Sequence, residues 1–142
     1  MKVRLIDVIE AMEFANDESH YLYDTKKEKI IFLWNGMVDG EEDEELYEDI
    51  LDSCCDQYIS LPDKYDIHEY HIMEEFVDTV SSNNMQVQLY NALRGKGAFR
   101  RFKDTIYQLN IEQQWYKFRD EQYVKIAREW CLKHKIDIIE GE

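Results

Sequence analysis

Residues 21–34 have the sequence YLYDTKKEKIIFLW, and this stretch separates an α+β fold from an all-helical one. Two runs rich in β-branched and aromatic residues, 21–23 and 30–34, flank a polar segment, which is the pattern of a β-hairpin. Most of the remaining chain carries apolar residues at helical spacing. The sequence therefore predicts a small antiparallel hairpin sheet in a mostly helical α+β protein.

The segments on either side of the hairpin extend this prediction. An amphipathic helix is predicted over residues 3–15, where apolar residues recur at helical spacing. Asn35-Gly36 is expected to end the hairpin. Eight acidic residues then lie between positions 41 and 52, among apolar residues at near-helical spacing. A solvent-exposed acidic helix is the plainest interpretation of that tract, and a short strand is predicted over residues 58–61.

A group of helices is predicted over residues 61–135. Asp66 with Glu69 approximates a capping box for the first of them. Gly95 closes a second helix and Gly97 begins a third. The predicted buried positions of these helices are Ile67, Tyr70, Met73, Phe76, Val77, Val80, Met85, Leu89, Tyr90, Leu93, Phe99, Phe102, Ile106 and Leu109.

The last part of the chain completes the architecture. A long helical stretch follows Asn110, and polar residues at 120 and 122 suggest two helices meeting at an angle. Residues 136–139 are predicted to form an edge strand. We therefore expect one α+β domain over residues 1–142, in which an N-terminal helix and the hairpin sheet (1–60) pack on the helical group (61–135).

Composition excludes several classes of protein. The 142 residues include 31 Asp or Glu and 17 Lys or Arg, a formal charge of −14, and 44% are hydrophobic. That apolar fraction is too high for a disordered chain. A polyanion repels nucleic acid and anionic membranes, so we expect no extended nucleic-acid partner and no membrane partner. No apolar run exceeds the five residues 30–34, so neither a membrane span nor a signal-peptide core is expected.

The three cysteines, Cys54, Cys55 and Cys131, predict reduced thiols in a cytoplasmic protein, because adjacent cysteines form a disulfide only with strain. The alternative is a vicinal-thiol site for a soft metal or a redox signal. No second cysteine pair or nearby histidine completes a ligand set. We therefore expect no metal and no cofactor.

Charge is distributed unevenly along the chain. Residues 94–135 hold eleven Lys or Arg and five Asp or Glu, a net +6, so the other 100 residues carry −20. The basic segment either docks on the acidic part of the same chain or forms a pocket that binds an anion.

The string Gly95-Lys96-Gly97-Ala98-Phe99-Arg100-Arg101-Phe102-Lys103-Asp104 is the most unusual in this segment. Its glycines precede a predicted helix start, where amide groups and basic side chains together suit an anion. The spacing of a phosphate-binding Walker loop is absent. The predicted ligand-binding residues are Lys96, Gly97, Arg100, Arg101, Lys103 and Trp115. The alternative is a structural joint between two helices.

An ordered series of motifs adds a resemblance to a family. The series is Leu61-Pro62, DIHEYHIMEEF at 66–76, the string 95–104, WYKF at 115–118 and AREW at 127–130. Over residues 57–136 the chain resembles uncharacterised protein family 0158. The resemblance implies a small bacterial cytoplasmic protein of unknown function, and it supplies no catalytic residues.

Three functional hypotheses remain. The preferred one is a non-catalytic binding or regulatory domain whose basic helix takes a small anion or an acidic protein partner. The second is a small hydrolase or transferase with His71 and Glu74 or Glu75 as acid–base groups. The third is an acidic interaction module built on residues 41–52. The protein is expected to be a monomer or a homodimer.

Overall fold

The computed structural model describes residues 1–14, 19–52 and 57–139 of the chain. The described elements, in chain order, are β1 (Lys2–Arg4), α1 (Leu5–Phe14), β2 (Ser19–Asp24), β3 (Lys29–Trp34), β4 (Met37–Val38), β5 (Glu41–Glu42), α2 (Glu44–Asp52), β6 (Tyr58–Ser60), α3 (Lys64–Ile67), α4 (Glu69–Thr79), α5 (Asn83–Ala92), α6 (Ala98–Gln108), α7 (Glu112–Lys133) and β7 (Asp137–Ile139). The fold is α+β and mostly helical, which confirms the predicted class. Within the described ranges, no helix combines the length and the apolar character needed to span a membrane.

The chain divides into two compact units. Unit 1 comprises Met1–Ile67 and Tyr123–Glu142, and unit 2 comprises His68–Gln122. Helix α7 contributes residues to each of them. The assignment of the whole chain to one domain stays a prediction.

An antiparallel sheet forms the centre of unit 1. Its described strands have the order β5-β4-β3-β2-β6, and the β2–β3 hairpin places Tyr21 opposite Phe32. The prediction that Asn35-Gly36 ends the hairpin is confirmed, because β3 ends at Trp34, but the continuation of the sheet beyond this turn was not predicted. Both residues have positive φ, 49° and 79°, and they form a tight turn that continues the sheet into β4.

The two faces of this sheet bury different side chains. On one face, Ile31 and Leu33 form a core cluster with Ile50 of α2. On the other face, the fully buried Tyr23 ring packs edge-on against Trp130, with ring centroids 6.4 Å apart. The Trp130 indole N–H donates to the carbonyl oxygen of Ser60 at 2.9 Å, so it satisfies a backbone group of edge strand β6.

A second, parallel pair joins two strands that lie far apart in sequence. β1 pairs with β7, with Lys2 opposite Asp137 and Val3 opposite Ile138. The predicted strand at 136–139 is confirmed. The predicted start of the first helix at residue 3 is wrong, because Val3 lies in β1 and the helix begins at Leu5.

Aromatic side chains fill the core of unit 2. The Trp115 ring lies 5.1 Å from Phe102 and 5.4 Å from Phe76, and the Phe118 ring lies 5.5 Å from Phe76. The two pairs that involve Trp115 are edge-to-face, an arrangement that adds to the stabilisation that burial provides. The helical assignment of this region is confirmed.

Three details of the helices differ from the predictions. The predicted cap of Asp66 with Glu69 is wrong, because α4 begins at Glu69 with His68 as its N-cap and no side-chain cap hydrogen bond. Asp66 instead pairs with Asp63 at α3, where each carboxylate accepts from the other residue's backbone N–H at 3.0 and 3.1 Å. Helix α7 is a single helix rather than two. Phe99, predicted to be buried, is 49% exposed, and Tyr70 and Tyr90 are also exposed.

Candidate functional site

The turn between α5 and α6 in unit 2 is held by one guanidinium group. Nε of Arg101 donates to the carbonyl oxygen of Ala92 at 3.2 Å, and its two terminal nitrogens contact the carbonyl oxygens of Arg94 and Lys96. Carbonyl groups at a helix C-terminus lack partners within the helix, so Arg101 satisfies them. Tyr70 completes the turn, because its hydroxyl donates to the Leu93 carbonyl oxygen at 2.9 Å.

Gly97 gives this turn its shape. It is the N-cap of α6 and has a left-handed backbone, with φ 75°. A Cβ atom at this position would lie 3.2 Å from Nη1 of Arg101. The Gly95–Gly97 segment is therefore built as a joint between two helices, and the guanidinium of Arg101 is engaged inside that joint.

The other predicted basic residues are differently placed. Lys96, Arg100 and Lys103 are exposed, as is Arg101, but of these four described side chains only the Arg101 guanidinium binds the carbonyl oxygens of the turn. Among the described residues, no side-chain ion pair or hydrogen bond engages Arg100 or Lys103. Trp115 is only 2% exposed and belongs to the aromatic core. The structure therefore separates the predicted set into a joint, an exposed basic group and a core residue.

A row of aromatic and basic side chains runs along the exposed side of α6. Phe99, Lys103 and Tyr107 are spaced by four residues, so they lie on one face of the helix. The Phe99 and Tyr107 side chains are 49% and 55% exposed. Arg100 lies in the neighbouring row of the same helix. We call the four residues Phe99, Arg100, Lys103 and Tyr107 the α6 face.

Neighbouring aromatic residues hold both ends of the α6 face. The Tyr70 ring packs edge-on against Phe99, with centroids 6.4 Å apart. At the other end, the Tyr107 and Tyr116 hydroxyls are 2.7 Å apart. The hydrogen bond with Tyr116 raises the pKa of Tyr107, so its phenol stays neutral at physiological pH. The face thus combines aromatic rings that contact neighbouring residues with exposed cationic side chains.

Arg100 and Lys103 of this face were among the predicted ligand-binding residues, whereas Phe99 was predicted to be buried and is exposed. The signal was nevertheless present. The buried positions of α6 are Ala98, Phe102 and Ile106, a separate row with the same spacing of four residues. One row is entirely apolar and the other combines aromatic and charged residues. This pattern is typical of a helix whose apolar row faces the core and whose mixed row faces solvent.

The proposed acid–base residues lie on the surface of α4. Nε2 of His71 lies 2.8 Å from Glu75, and Nδ1 lies 4.0 Å from Glu74. The His71 side chain is 59% exposed, and both carboxylates are more than 40% exposed. Side-chain pairs at this spacing are common on helix surfaces, and these three side chains are open to solvent. The arrangement gives the hydrolase or transferase hypothesis no support.

The described residues also give no support to the metal or thiol hypotheses. Within the described ranges, no group of three or more His, Cys, Asp or Glu side chains is placed to hold a metal ion. Cys131 is buried in unit 1, and burial raises the pKa of its thiol. Cys54 and Cys55, the basis of the vicinal-thiol alternative, lie outside the described residues.

Unit 1 contains a cleft of about 490 Å³ between α1, β1 and the hairpin. Its apolar lining includes Phe14, Tyr21 and Ile30. Several charged groups at its edge are already paired. Arg4 forms a two-point contact with Asp7 at 2.9 and 3.0 Å, and the N-terminal amine lies 3.4 Å from Glu28. The cleft has space for a small molecule, but its paired charges do not specify one.

Comparison with known proteins places this architecture in a family. The model described as Uncharacterised protein family (UPF0158) matches residues 1–142. The chain belongs to this family. The match covers the hairpin and the acidic tract as well as residues 57–136, on which the resemblance was based. No curated protein and no solved structure matches the chain. Membership in UPF0158 assigns no activity, so a functional proposal has to start from the geometry of the α6 face.

Proposed function

We propose that this member of UPF0158 is a non-catalytic binding protein, and that its α6 face takes an acidic segment of a protein partner. The supporting observation is the exposed row Phe99–Lys103–Tyr107 with Arg100 beside it. Phe99 and Tyr107 provide apolar contact area, and Arg100 and Lys103 provide charge. Aromatic residues and arginine are the residue types enriched in protein interfaces.

The chemistry of the face favours a polypeptide over a nucleic acid. Although aromatic and basic side chains can also stack and neutralise nucleotides, the chain as a whole carries −14. That charge repels an extended polyanion, whereas a short acidic segment meets mainly the local charge of the α6 face. An acidic segment with apolar residues at helical spacing matches both components of the row.

Two charge reversals test the proposal. A fluorescein-labelled peptide of glutamate with leucine at helical spacing is titrated with the full chain, and binding is followed by anisotropy. Arg100→Glu with Lys103→Glu should weaken binding by about tenfold or more, since two close ion pairs become repulsions. The matched control, Lys26→Glu with Lys125→Glu, changes the net charge equally and should change affinity by less than about twofold.

Two results would overturn the proposal. One is equal loss of binding in both double variants, which would mean that net charge alone attracts the peptide. The other is tighter binding of a short single-stranded oligonucleotide than of the peptide, with the same dependence on Arg100 and Lys103, which would assign the face to nucleic acid. A peptide with glutamine in place of glutamate should bind at least about tenfold more weakly.

A further inference from the structure

Helix α2 in unit 1 presents an exposed pattern that complements the α6 face. Its buried residue is Ile50, and Leu51, beside it, is 50% exposed. Glu44, Glu48 and Leu51 are separated by four and three residues, so they share one row along the helix. The two glutamates are exposed. We call Glu44, Glu48 and Leu51 the α2 row.

The two surfaces match in charge, apolar content and length. The α6 face has two cations and two aromatic rings, and the α2 row has two carboxylates and an aliphatic side chain. The helices contain nine and eleven residues, which correspond to about 13 and 16 Å. Leu51 can therefore contact an aromatic ring while Glu44 and Glu48 approach Arg100 and Lys103.

We infer that the acidic segment which the α6 face takes is α2 of a second copy of the same chain. This inference rests on the proposed function and names the partner. The evidence is the charge complementarity of two exposed helical surfaces. Each copy contributes a different surface to one contact. Two copies that make the contact twice around a two-fold axis form an isologous dimer, whereas successive copies that each make it once form a heterologous row or ring.

The salt concentration determines whether this association can be observed. At about 0.1 M salt the Debye length is about 10 Å, so repulsion between two chains of charge −14 is largely screened while contacting pairs still attract. At about 1 M salt the contacting pairs weaken as well. Association should therefore increase with protein concentration at moderate salt and weaken by about tenfold or more at high salt.

A charge-swap experiment tests the inference on the full-length chain. Sedimentation velocity is measured for the unaltered protein, for Arg100→Glu with Lys103→Glu, and for Glu44→Lys with Glu48→Lys. Each double variant alone should self-associate at least about tenfold more weakly, because it juxtaposes like charges. Their equimolar mixture should recover association, since the acidic α6 face of one variant meets the basic α2 row of the other.

Two further variants guard against an effect of misfolding. Leu51→Gln and Phe99→Gln remove apolar contacts at exposed positions without altering charge, and both should weaken self-association. Helical circular dichroism should be unchanged in both variants. Lys26→Glu with Lys125→Glu serves as the charge-matched control and should associate like the unaltered protein.

The results separate this inference from the proposed function. An unaltered protein that stays monomeric, association insensitive to the reversals, or a mixture that does not recover association overturns the self-pairing. If the glutamate–leucine peptide still binds in an Arg100- and Lys103-dependent manner, the proposed function stands with a different partner. Loss of both dependences overturns both.

Discussion

The guanidinium of Arg101 lies against Gly97, where a Cβ atom would come within 3.2 Å of Nη1. The same side chain contacts the carbonyl oxygens of Ala92, Arg94 and Lys96. The α5–α6 turn therefore depends on a small residue at position 97 and a long cation at position 101. The pair also orients the start of the α6 face.

Gly97→Ala should destabilise the protein more than Gly95→Ala. Both glycines have φ above 70°, so alanine costs about 1–2 kcal/mol at either position. Only position 97 lies near Arg101, whereas a Cβ at position 95 meets nothing within 4 Å. We expect an additional loss of about 1 kcal/mol for Gly97→Ala, measured by urea denaturation.

A double variant locates the cause of that additional loss. In an Arg101→Met background the guanidinium is absent, and Gly97→Ala should then cost no more than Gly95→Ala. An unchanged difference between the two glycines would show that Arg101 is not responsible.

Arg101→Met should lower the free energy of unfolding by about 1–3 kcal/mol, because three backbone carbonyl groups lose a charged donor. Arg100→Met provides the matched control on the same helix. Both arginines are exposed, but no side-chain hydrogen bond or ion pair to the described residues engages Arg100, so its replacement should change stability by less than about 0.5 kcal/mol. Equal losses for the two variants, measured by urea denaturation, would contradict the structural role assigned to Arg101.

Asp24 should make the protein sensitive to acid. Although burial alone raises the pKa of this carboxyl, hydrogen bonds from the backbone N–H of Lys27, the Gln57 amide and the backbone N–H of Lys26 lower it below its ordinary value. A lowered pKa in the folded state stabilises the protein above the unfolded-state pKa of about 3.9. That contribution is lost as the pH falls through the folded-state pKa.

Asp24→Asn isolates this contribution. The variant should be less stable than the unaltered protein by about 1–2 kcal/mol at neutral pH, and the difference should shrink as the pH falls below about 3.9. Urea denaturation over a pH series measures it. Asp120→Asn, an exposed carboxyl replacement, should stay within about 0.5 kcal/mol of the unaltered protein throughout. A difference for Asp24→Asn that does not vary with pH would refute the assignment.

Cys131 should resist thiol reagents in the native protein. Its side chain is 1% exposed, and burial raises the pKa of the thiol, so little reactive thiolate reaches the reagent. In a variant with Cys54→Ser and Cys55→Ser, labelling by a chromogenic disulfide should be about a hundredfold slower in buffer than in denaturant. Comparable rates in the two conditions would contradict the burial of this thiol.

Local patterns were sufficient to predict the elements with strong sequence signals. The two runs of β-branched and aromatic residues within 21–34 predicted the hairpin and its position, and apolar spacing predicted most of the helices. The β1–β7 pair was only half predicted, since a strand of three residues at Val3 has a helical local pattern and a partner far along the chain. The continuation of the sheet past Asn35-Gly36 was not predicted, because a strand of only two residues such as β4 carries little sequence signal.

The position of the candidate site along the chain was predicted more accurately than the roles of its individual residues. Glycine spacing and basic charge pointed to residues 95–103, where the α6 face begins. Charge alone could not distinguish Arg101, which binds backbone carbonyl oxygens, from Arg100 beside it, because the difference depends on where the preceding helix ends. Phe99 and Phe102 lie within one helical turn of each other, and the sequence alone does not show which of the two rings faces the core. In the structure Phe102 is buried and Phe99 is exposed.

Strands β1 and β7 also determine when unit 1 can finish folding during synthesis. The paired residues Lys2 and Asp137 are 135 positions apart, and the intervening chain includes all of unit 2. Closing so long a loop is entropically costly and slows folding. A ribosome must therefore synthesise the chain at least as far as Ile139 before the first strand acquires its partner, while the hairpin and the helices of unit 2 can form earlier. For that interval Val3 lacks its native strand partner, so the first strand stays open to non-native pairing until residues 137–139 emerge.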